Sequence, residues 1–322
     1  MPSPRFLPLV AREGRGGDTA RERDAQLKQR LLDLLDAVKP EERLLHDPLG
    51  IVHEAKGDAN REVVGLIAAL LAFGNVTQIR RSIRRVLDAL GPDPAAFLAA
   101  STDREIQLAL KGFVHRVYVG ADVAQVLIGV RTLRLKHGSL DAAFMHFAED
   151  AHVVIPPFAT SHARLYRGLL GFGSALRGEG EGRGLQHLIP DAQKGSACKR
   201  LLLYLRWMCR PSDGVDLGLF RFPAAELLIP VDTHVHRIAT NLGLTKRRDA
   251  SFRTAIEITN ALAKFDREDP VRFDFALCHL GISGACPSRR EDEACGTCAM
   301  KPHCMHWPEK KEKRPKAAVA RR

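Results

Sequence analysis

The feature that most constrains the fold is a helical spacing of apolar residues, which recurs along the chain while strand-like alternation never persists. Apolar side chains return every three or four positions in residues 25–39, and similar patterns occupy 77–90, 121–136 and 251–265. This spacing gathers apolar side chains on one face of an α-helix. Residues 61–73 are apolar nearly all round, which predicts a helix central to the core. The sequence therefore predicts an all-α protein.

The remaining segments are assigned from caps and breakers. Two Gly- or Pro-containing segments, 45–51 and 177–184, are expected to be loops. A helix is expected to begin at Asp232 and to end near Gly243, because Asp caps helix starts and Gly ends helices. Further helices are predicted at 95–99, 103–111, 139–149, 160–176, 201–210 and 274–282.

Charge is unevenly distributed along the 322 residues. The net charge is +11, of which residues 1–30 carry +3 and residues 308–322 carry +5. We expect basic, disordered tails over 1–24 and 308–322. Such tails add non-specific affinity for a polyanion, although they can equally serve only to keep a protein in solution.

No apolar run reaches the ~18 residues that a membrane span needs, and the N-terminus has no apolar signal region. We therefore expect a cytoplasmic protein that does not bind membranes. In that compartment cysteines are reduced or bound to metal rather than paired in disulfides.

Four cysteines crowd the C-terminal region in the spacing Cys286-x8-Cys295-x2-Cys298-x5-Cys304. Four thiolates within nineteen residues can bind one metal centre, either a [4Fe–4S] cluster or a tetrahedral zinc. The unequal spacing favours the iron–sulfur cluster, since zinc sites more often show two CxxC pairs. The other cysteines, Cys198, Cys209 and Cys278, lie in apolar helical patterns and are expected to be small buried side chains.

Two further stretches suggest a site. In Val231-Asp-Thr-His-Val-His-Arg237, Asp232 is expected to cap a helix, and on the local sequence alone that role is sufficient. In Gly195-Ser-Ala-Cys-Lys-Arg200, a turn precedes a strongly apolar helix. A turn and a helix N-terminus together present backbone N–H groups to an anion.

With the four cysteines, these stretches resemble the helix–hairpin–helix DNA glycosylase superfamily, especially endonuclease III. The resemblance covers residues 60–80 and 185–307, and it is strongest to a bacterial branch that shares the Gly-Ser-Ala-Cys-Lys-Arg and Arg-Trp-Met blocks. For that branch it implies no settled activity. The sequence departs from the pattern of the superfamily at two positions. Ala197 stands where the hairpin has its second glycine, and Gly74 stands where endonuclease III has the glutamine that fills the space left by the flipped base.

The resemblance implies a role for each matching residue. Lys199 falls at the Schiff-base lysine and Asp232 at the essential aspartate, so both are predicted to be catalytic. The four cysteines fall at the cluster ligands. The residues expected to contact DNA are Gly195, Ser196, Ala197, Arg200, His234 and Arg237.

The resemblance also implies two helical domains on either side of a DNA-binding cleft. One would comprise residues 25–59 and 223–307 with the iron–sulfur cluster, and the other residues 60–222, ending in the helix–hairpin–helix. The function expected is base excision repair by a nucleoid-associated monomer acting on damaged double-stranded DNA. A Schiff base on Lys199 would add lyase activity. The alternative is a non-catalytic iron–sulfur protein that binds nucleic acid through the same hairpin.

Overall fold

The computed structural model describes residues 19–37, 39–282 and 286–305. These residues form sixteen α-helices and one two-stranded antiparallel hairpin, which confirms the all-α prediction. In the described part of the chain, no helix combines the length and apolar character needed to cross a membrane. The predicted tails lie mostly outside the described residues.

The elements follow one another closely. The first half contains α1 (Ala20–Asp36), α2 (Pro40–His46), α3 (Leu49–Glu54), α4 (Asp58–Leu71), α5 (Val76–Leu90), α6 (Pro94–Ala100), α7 (Asp103–Ala109), β1 (Val114–His115), β2 (Tyr118–Val119), α8 (Gly120–His137) and α9 (Leu140–Ala148). The second half contains α10 (Ala163–Arg177), α11 (Arg183–Leu188), α12 (Lys199–Cys209), α13 (Thr233–Asn241), α14 (Phe252–Leu262), α15 (Asp274–Ile282) and α16 (Asp292–Gly296).

The first helix begins earlier than the apolar pattern suggested. The Thr19 side chain accepts a hydrogen bond from the Glu22 N–H, and the Glu22 carboxylate accepts one from the Thr19 N–H. This capping box satisfies N–H groups that a helix start leaves open. Helix α1 therefore starts at Ala20 rather than at residue 25, so residues 20–24, which were expected to belong to a disordered tail, are helical.

Four short elements, counting the hairpin as one, lie where the sequence suggested loops or no structure. Helices α2 and α3 occupy most of the segment around 45–51, and only Asp47 and Pro48 separate them. The Asp47 carboxylate accepts a hydrogen bond from the Leu49 N–H, which starts α3 directly after the break. Helix α11 begins inside the glycine-rich segment, and the β1–β2 hairpin is too short to give a strand-like alternation.

Helix α4 lies at the centre of the core, as its apolar sequence predicts. Eleven of its fourteen residues are buried. It packs against α3, α5, α6 and α12. The Tyr204 hydroxyl on α12 donates to the Glu62 carbonyl on α4 at 3.1 Å, and Gly65 leaves room for Met208. Helix α12 is thereby held firmly along the middle of the protein.

A second group of helices lies in the C-terminal half of the chain, and ion pairs from Lys199 and Arg206 join it to α12. Helix α15 packs against α13 and α1. At Gly281 an added Cβ would lie 2.6 Å from the Cβ of His234, so α13 and α15 approach closely. The buried apolar side chains of the described residues form one connected core. The division into two domains therefore remains a prediction.

Candidate functional site

The turn between α11 and α12 carries two residues in the left-handed region. Gly195 has φ +83° and Cys198 has φ +49°. Such a conformation costs a non-glycine residue roughly 1–2 kcal/mol. The resemblance places the second hairpin glycine at Ala197, but the second left-handed residue of this turn is Cys198. The turn is therefore tight although it contains no second glycine.

Cys198 is held by one hydrogen bond from its backbone and one from its side chain. Its N–H donates to Ser196 Oγ at 3.1 Å and its thiol donates to the Pro190 carbonyl at 3.4 Å. Burial raises the pKa of the Cys198 thiol to about 12, so it stays protonated. As the N-cap of α12 it supplies no side-chain hydrogen bond. The first N–H groups of α12 therefore have no side-chain partner from their cap.

The backbone of the turn is hydrogen bonded to the chain at the start of α14. Ser196 and Ser251 form an antiparallel bridge, and the Phe252 N–H donates to the Gly195 carbonyl at 3.4 Å. A Cβ placed on Gly195 would meet nothing within 4 Å. The turn is thus supported from one side and open at Gly195.

Asp232 caps α13, as predicted, and also faces Lys199. Its Oδ1 accepts hydrogen bonds from the N–H groups of His234 and Val235 at 2.9 and 2.8 Å. Its Oδ2 lies 3.7 Å from the Nζ of Lys199, the first residue of α12. Both side chains are partly exposed, at 32% for Lys199 and 22% for Asp232. The structure therefore joins two predicted residues that stand 33 positions apart.

The residues predicted to contact DNA differ in how far they are exposed to solvent. Gly195 is exposed and Ser196 is partly exposed, whereas Ala197 is buried. Arg200 is also buried, because its Nε donates to the Leu188 carbonyl and its guanidinium lies over the Tyr118 ring. The predicted contact of Arg200 with DNA stays a prediction. The buried position of the side chain argues against it.

The other two predicted DNA contacts lie near the cysteine segment. Arg237 donates from Nη2 to the Cys286 carbonyl at 2.7 Å and from Nη1 to Ser288 Oγ at 3.2 Å. His234 is partly buried, with its ring Nδ1 3.5 Å from Arg237 Nη2. Arg237 therefore ties α13 to the segment that carries the predicted cluster ligands.

None of the four C-terminal cysteines is paired in a disulfide. Cys298 interacts electrostatically with the thiols of Cys286, Cys295 and Cys304. Burial, followed by these three thiols, raises the pKa of Cys298. In the described residues no group of three or more His, Cys, Asp or Glu side chains is arranged as a formed metal site. Four thiols within one short segment nevertheless fit, in their chemistry, the ligand set of an iron–sulfur cluster or a zinc ion.

Gly74, where the resemblance places a glutamine, lies under a neighbouring arginine. A Cβ on Gly74 would meet Arg116 Nη1 at 2.6 Å, and the Arg116 guanidinium lies 4.5 Å from the centre of the Phe73 ring. Arg116 itself has a positive φ of 55°. Beneath it, the Tyr118 hydroxyl and His187 Nδ1 are hydrogen bonded at 2.8 Å, which connects the hairpin to α11.

One charged residue near the site was missed by sequence reasoning. Asp274, the first residue of α15, is only 4% exposed, and Arg206 of α12 donates to its carboxylate. It interacts electrostatically with both Lys199 and Asp232. The only sequence signal for Asp274 was an aspartate at the start of an apolar helix. That pattern is typical of many helix starts, so it did not single out this residue.

Together, these residues place an ammonium and a carboxylate at the start of α12, beside an open turn. The pair can stabilise positive charge through the carboxylate and can supply a nucleophile through the amine. No curated protein and no solved structure matches the chain. A family model described as a protein of unknown function (DUF2400) matches residues 47–283, which are 237 of the 322 residues, and the chain therefore belongs to that family.

Proposed function

We propose that the protein is a DNA repair glycosylase that flips a damaged base out of double-stranded DNA and cleaves its N-glycosidic bond. The observation that carries this proposal is the 3.7 Å approach of Lys199 Nζ to Asp232 Oδ2. These are the two positions that the resemblance implies to be catalytic, and they stand at the starts of two different helices, α12 and α13.

The proposed reaction begins as the bond between the base and the sugar C1′ breaks, with its electron pair leaving on the base. Positive charge then grows on the sugar, and the Asp232 carboxylate stabilises it. Asp232 has one oxygen engaged in the cap, which holds the other oxygen in a fixed direction. A fixed charge of this kind needs little reorganisation during the reaction.

The sugar can be captured in two ways. Water activated by Asp232 would give simple hydrolysis. Alternatively, neutral Lys199 would attack C1′ through its lone pair and, after losing protons and opening the sugar ring, form an imine that permits strand cleavage by elimination. A lysine is a nucleophile only after its ammonium has lost a proton.

DNA would be held by α11, the turn and α12, acting as a helix–hairpin–helix. The exposed Gly195 allows a phosphate to approach the backbone closely, and the N-terminus of α12 favours an anion there. The damaged base would enter a cleft between the domain of residues 60–222 and the domain of residues 25–59 and 223–307. We propose a cytoplasmic, nucleoid-associated monomer.

Cys286, Cys295, Cys298 and Cys304 would hold a [4Fe–4S] cluster, with zinc as the alternative metal. When bound, the cluster would cross-link the segment that contains its ligands and so act structurally. Arg237 and Asn241 of α13 already contact Cys286, the latter at 3.6 Å from Nδ2 to Sγ. The segment would thereby support α13, which Asp232 caps.

The test is a screen of duplex oligonucleotides, each carrying one damaged base, with borohydride present to trap an imine. On a duplex that the wild type cleaves, Asp232→Asn should slow base release roughly a hundredfold or more, since a neutral amide cannot balance the developing charge. Lys199→Gln should abolish the trapped complex but retain DNA binding. Asn can still cap α13, so the fold should persist.

The matched control is Asp93→Asn, which makes the same change at the N-cap of α6, away from the site. It should cleave like the wild type. A fully active Asp232→Asn would contradict the catalytic assignment. It would support the alternative, a non-catalytic DNA-binding protein in which Asp232 only caps α13, a role that its two hydrogen bonds already satisfy.

A further inference from the structure

The loop between α13 and α14, with the first turn of α14, exposes several cations. Residues 246–257 contain four cations and two carboxylates. Arg247 pairs with Asp249 at 2.9 Å, so these two charges offset each other. In the part of the chain that the structure describes, the exposed cations of this segment that form no ion pair are Lys246, Arg248 and Arg253. These three side chains form the basic loop surface.

The loop has a fixed shape because Asp249 accepts hydrogen bonds from its neighbours. The Ser251 hydroxyl donates to Asp249 Oδ1 at 2.7 Å, and the Arg247 guanidinium donates to both oxygens of Asp249. The carbonyl of Arg247 lies 3.0 Å from the ring Nε2 of His236 on α13. A loop that is already ordered loses little conformational entropy when a partner binds it.

The same loop is joined to the turn that precedes α12. Ser251 forms an antiparallel bridge with Ser196, and the Phe252 N–H donates to the Gly195 carbonyl at 3.4 Å. Three residues of chain span at most about 11 Å, so Arg248 lies within that distance of Ser251. On the turn itself, Lys194 is exposed and forms no ion pair within the described residues. The turn and the basic loop surface are therefore neighbouring parts of one positively charged face.

The two remaining charged groups of this face do not cancel it. Glu257 accepts a hydrogen bond from the backbone N–H of Lys246 at 3.0 Å, which fixes the start of the loop. The Arg253 guanidinium lies 4.6 Å from the centre of the Phe158 ring, a contact that holds its position and leaves its charge intact. The face therefore offers fixed cations on both sides of Ser251.

We propose that the basic loop surface binds backbone phosphates of duplex DNA next to those held at the turn. This rests on the proposed function only in taking duplex DNA as the partner of the turn. Phosphates of one strand follow one another every ~3.4 Å along the duplex, so a strand held at Gly195 passes Arg248 within a few phosphates. Residues 246–253 expose no large apolar side chain, which the core of a protein interface would require.

Phosphate contacts position a protein on DNA but carry no information about the base. The basic loop surface should therefore strengthen binding to damaged and undamaged duplexes equally. Recognition of the damaged base is left to other residues. The surface would give the turn a second point of attachment, which fixes the direction in which the strand crosses the start of α12.

The test is the salt dependence of DNA binding by the full-length protein. Binding of a fluorescent, undamaged duplex of about twenty base pairs is followed by anisotropy. Each phosphate contact adds about 0.9 to the slope of log Kd against log salt concentration, so Lys246→Ala/Arg248→Ala should lower that slope by about 1.8. Between about 50 and 200 mM KCl, the Kd of the wild type should therefore rise about twelvefold more than that of the variant.

The matched control is Arg104→Ala/Lys136→Ala, which removes two exposed cations from α7 and α8, neither of which contributes to the turn or the loop. This control should keep the wild-type slope, as should the charge-conserving Lys246→Arg/Arg248→Lys. The inference is overturned by an unchanged slope in Lys246→Ala/Arg248→Ala, or by an equal fall in the control. It is also overturned if that variant loses binding only to duplex RNA or to phosphatidylserine vesicles and keeps the wild-type slope on DNA.

The two proposals fail separately, because the binding test requires no cleavage. If no damaged duplex is cleaved, the glycosylase proposal fails, and the salt slope still decides the role of the basic loop surface. If a duplex is cleaved while the slope of Lys246→Ala/Arg248→Ala stays at the wild-type value, only the present inference fails.

Discussion

At the scale of single residues, Asp232 combines two tasks because its two oxygens point in different directions. Oδ1 completes the first turn of α13, and Oδ2 is directed to Lys199. A cap residue is held rigidly, so the charge on the other oxygen is held rigidly too. The local role therefore supports the proposed catalytic role rather than competing with it.

Cys298 is the residue through which the proposed cluster is best tested, since its thiol interacts with the other three. Protein purified without oxygen should contain iron and sulfide, and Cys298→Ser should lose most of both, because a hydroxyl is a much weaker ligand for this cluster. Metal analysis and visible absorption would measure this. Cys209→Ala, which removes a buried thiol in α12, should retain the iron; equimolar zinc without iron would contradict the iron–sulfur assignment.

At the scale of elements, the site depends on how helices without functional residues are packed. Helix α12 reaches Asp232 because its middle is held on α4, where Tyr204 and Met208 meet Glu62 and Gly65. Helices α8, α9 and α10 form a further layer through mutual contacts. The backbones of α8 and α10 come close together at a glycine of α8, which has no side chain to keep them apart.

Gly129 of α8 provides the test of that crossing. An added Cβ would lie 2.7 Å from the Cα of Leu176 and 2.8 Å from the carbonyl oxygen of Ala175, both on α10. Because backbone cannot move aside as a side chain can, Gly129→Ala should lower the free energy of unfolding by about 1–3 kcal/mol. Urea denaturation would measure it. Gly296→Ala, whose Cβ would meet nothing, should change stability little, and equal stability of both variants would refute the crossing.

At the scale of the whole molecule, buried charges connect segments that are distant in sequence. Arg206 of α12 and Arg210, which follows that helix, join the 213–216 loop, Asp269 and the start of α15. Burial opposes the charge on Arg206, but the carboxylates of Asp216 and Asp274 outweigh it and raise the pKa of Arg206. Removing one member of such a network leaves its partner charge buried, which is costly.

The network predicts a specific pH dependence of stability. Since the pKa of Asp274 is raised from 3.8 to about 6 by burial, the folded protein binds more protons than the unfolded chain between these values. The contribution of Asp274 is fully present below pH 3.8 and is lost as pH rises through 6. The unfolding free energy of the wild type, relative to Asp274→Asn, should therefore fall by about 2 kcal/mol from pH 4.5 to 7.5. Urea titrations at both pH values would measure it; a pH-independent difference would contradict the raised pKa.

Much of the fold could be predicted from the sequence because its signals are local. The helical periods of α4, α8 and α14 and the cap at Asp232 depend on residues within about four positions of one another. Short elements such as α11 and the β1–β2 hairpin contain too few residues for a period to emerge. They form because neighbouring elements hold them, as Tyr118 and His187 hold the hairpin to α11.

The sequence by itself determined the helical class, the helix start at Asp232 and the grouping of four cysteines, since each depends on spacing along the chain. Only the tertiary structure decided that Lys199 meets Asp232, that Arg200 turns inward and that Asp274 lies buried against Arg206. A side chain's partners across 33 or 68 positions depend on which helix faces pack together. Packing is determined by the whole set of apolar surfaces that must be buried at once, and no single segment contains that information.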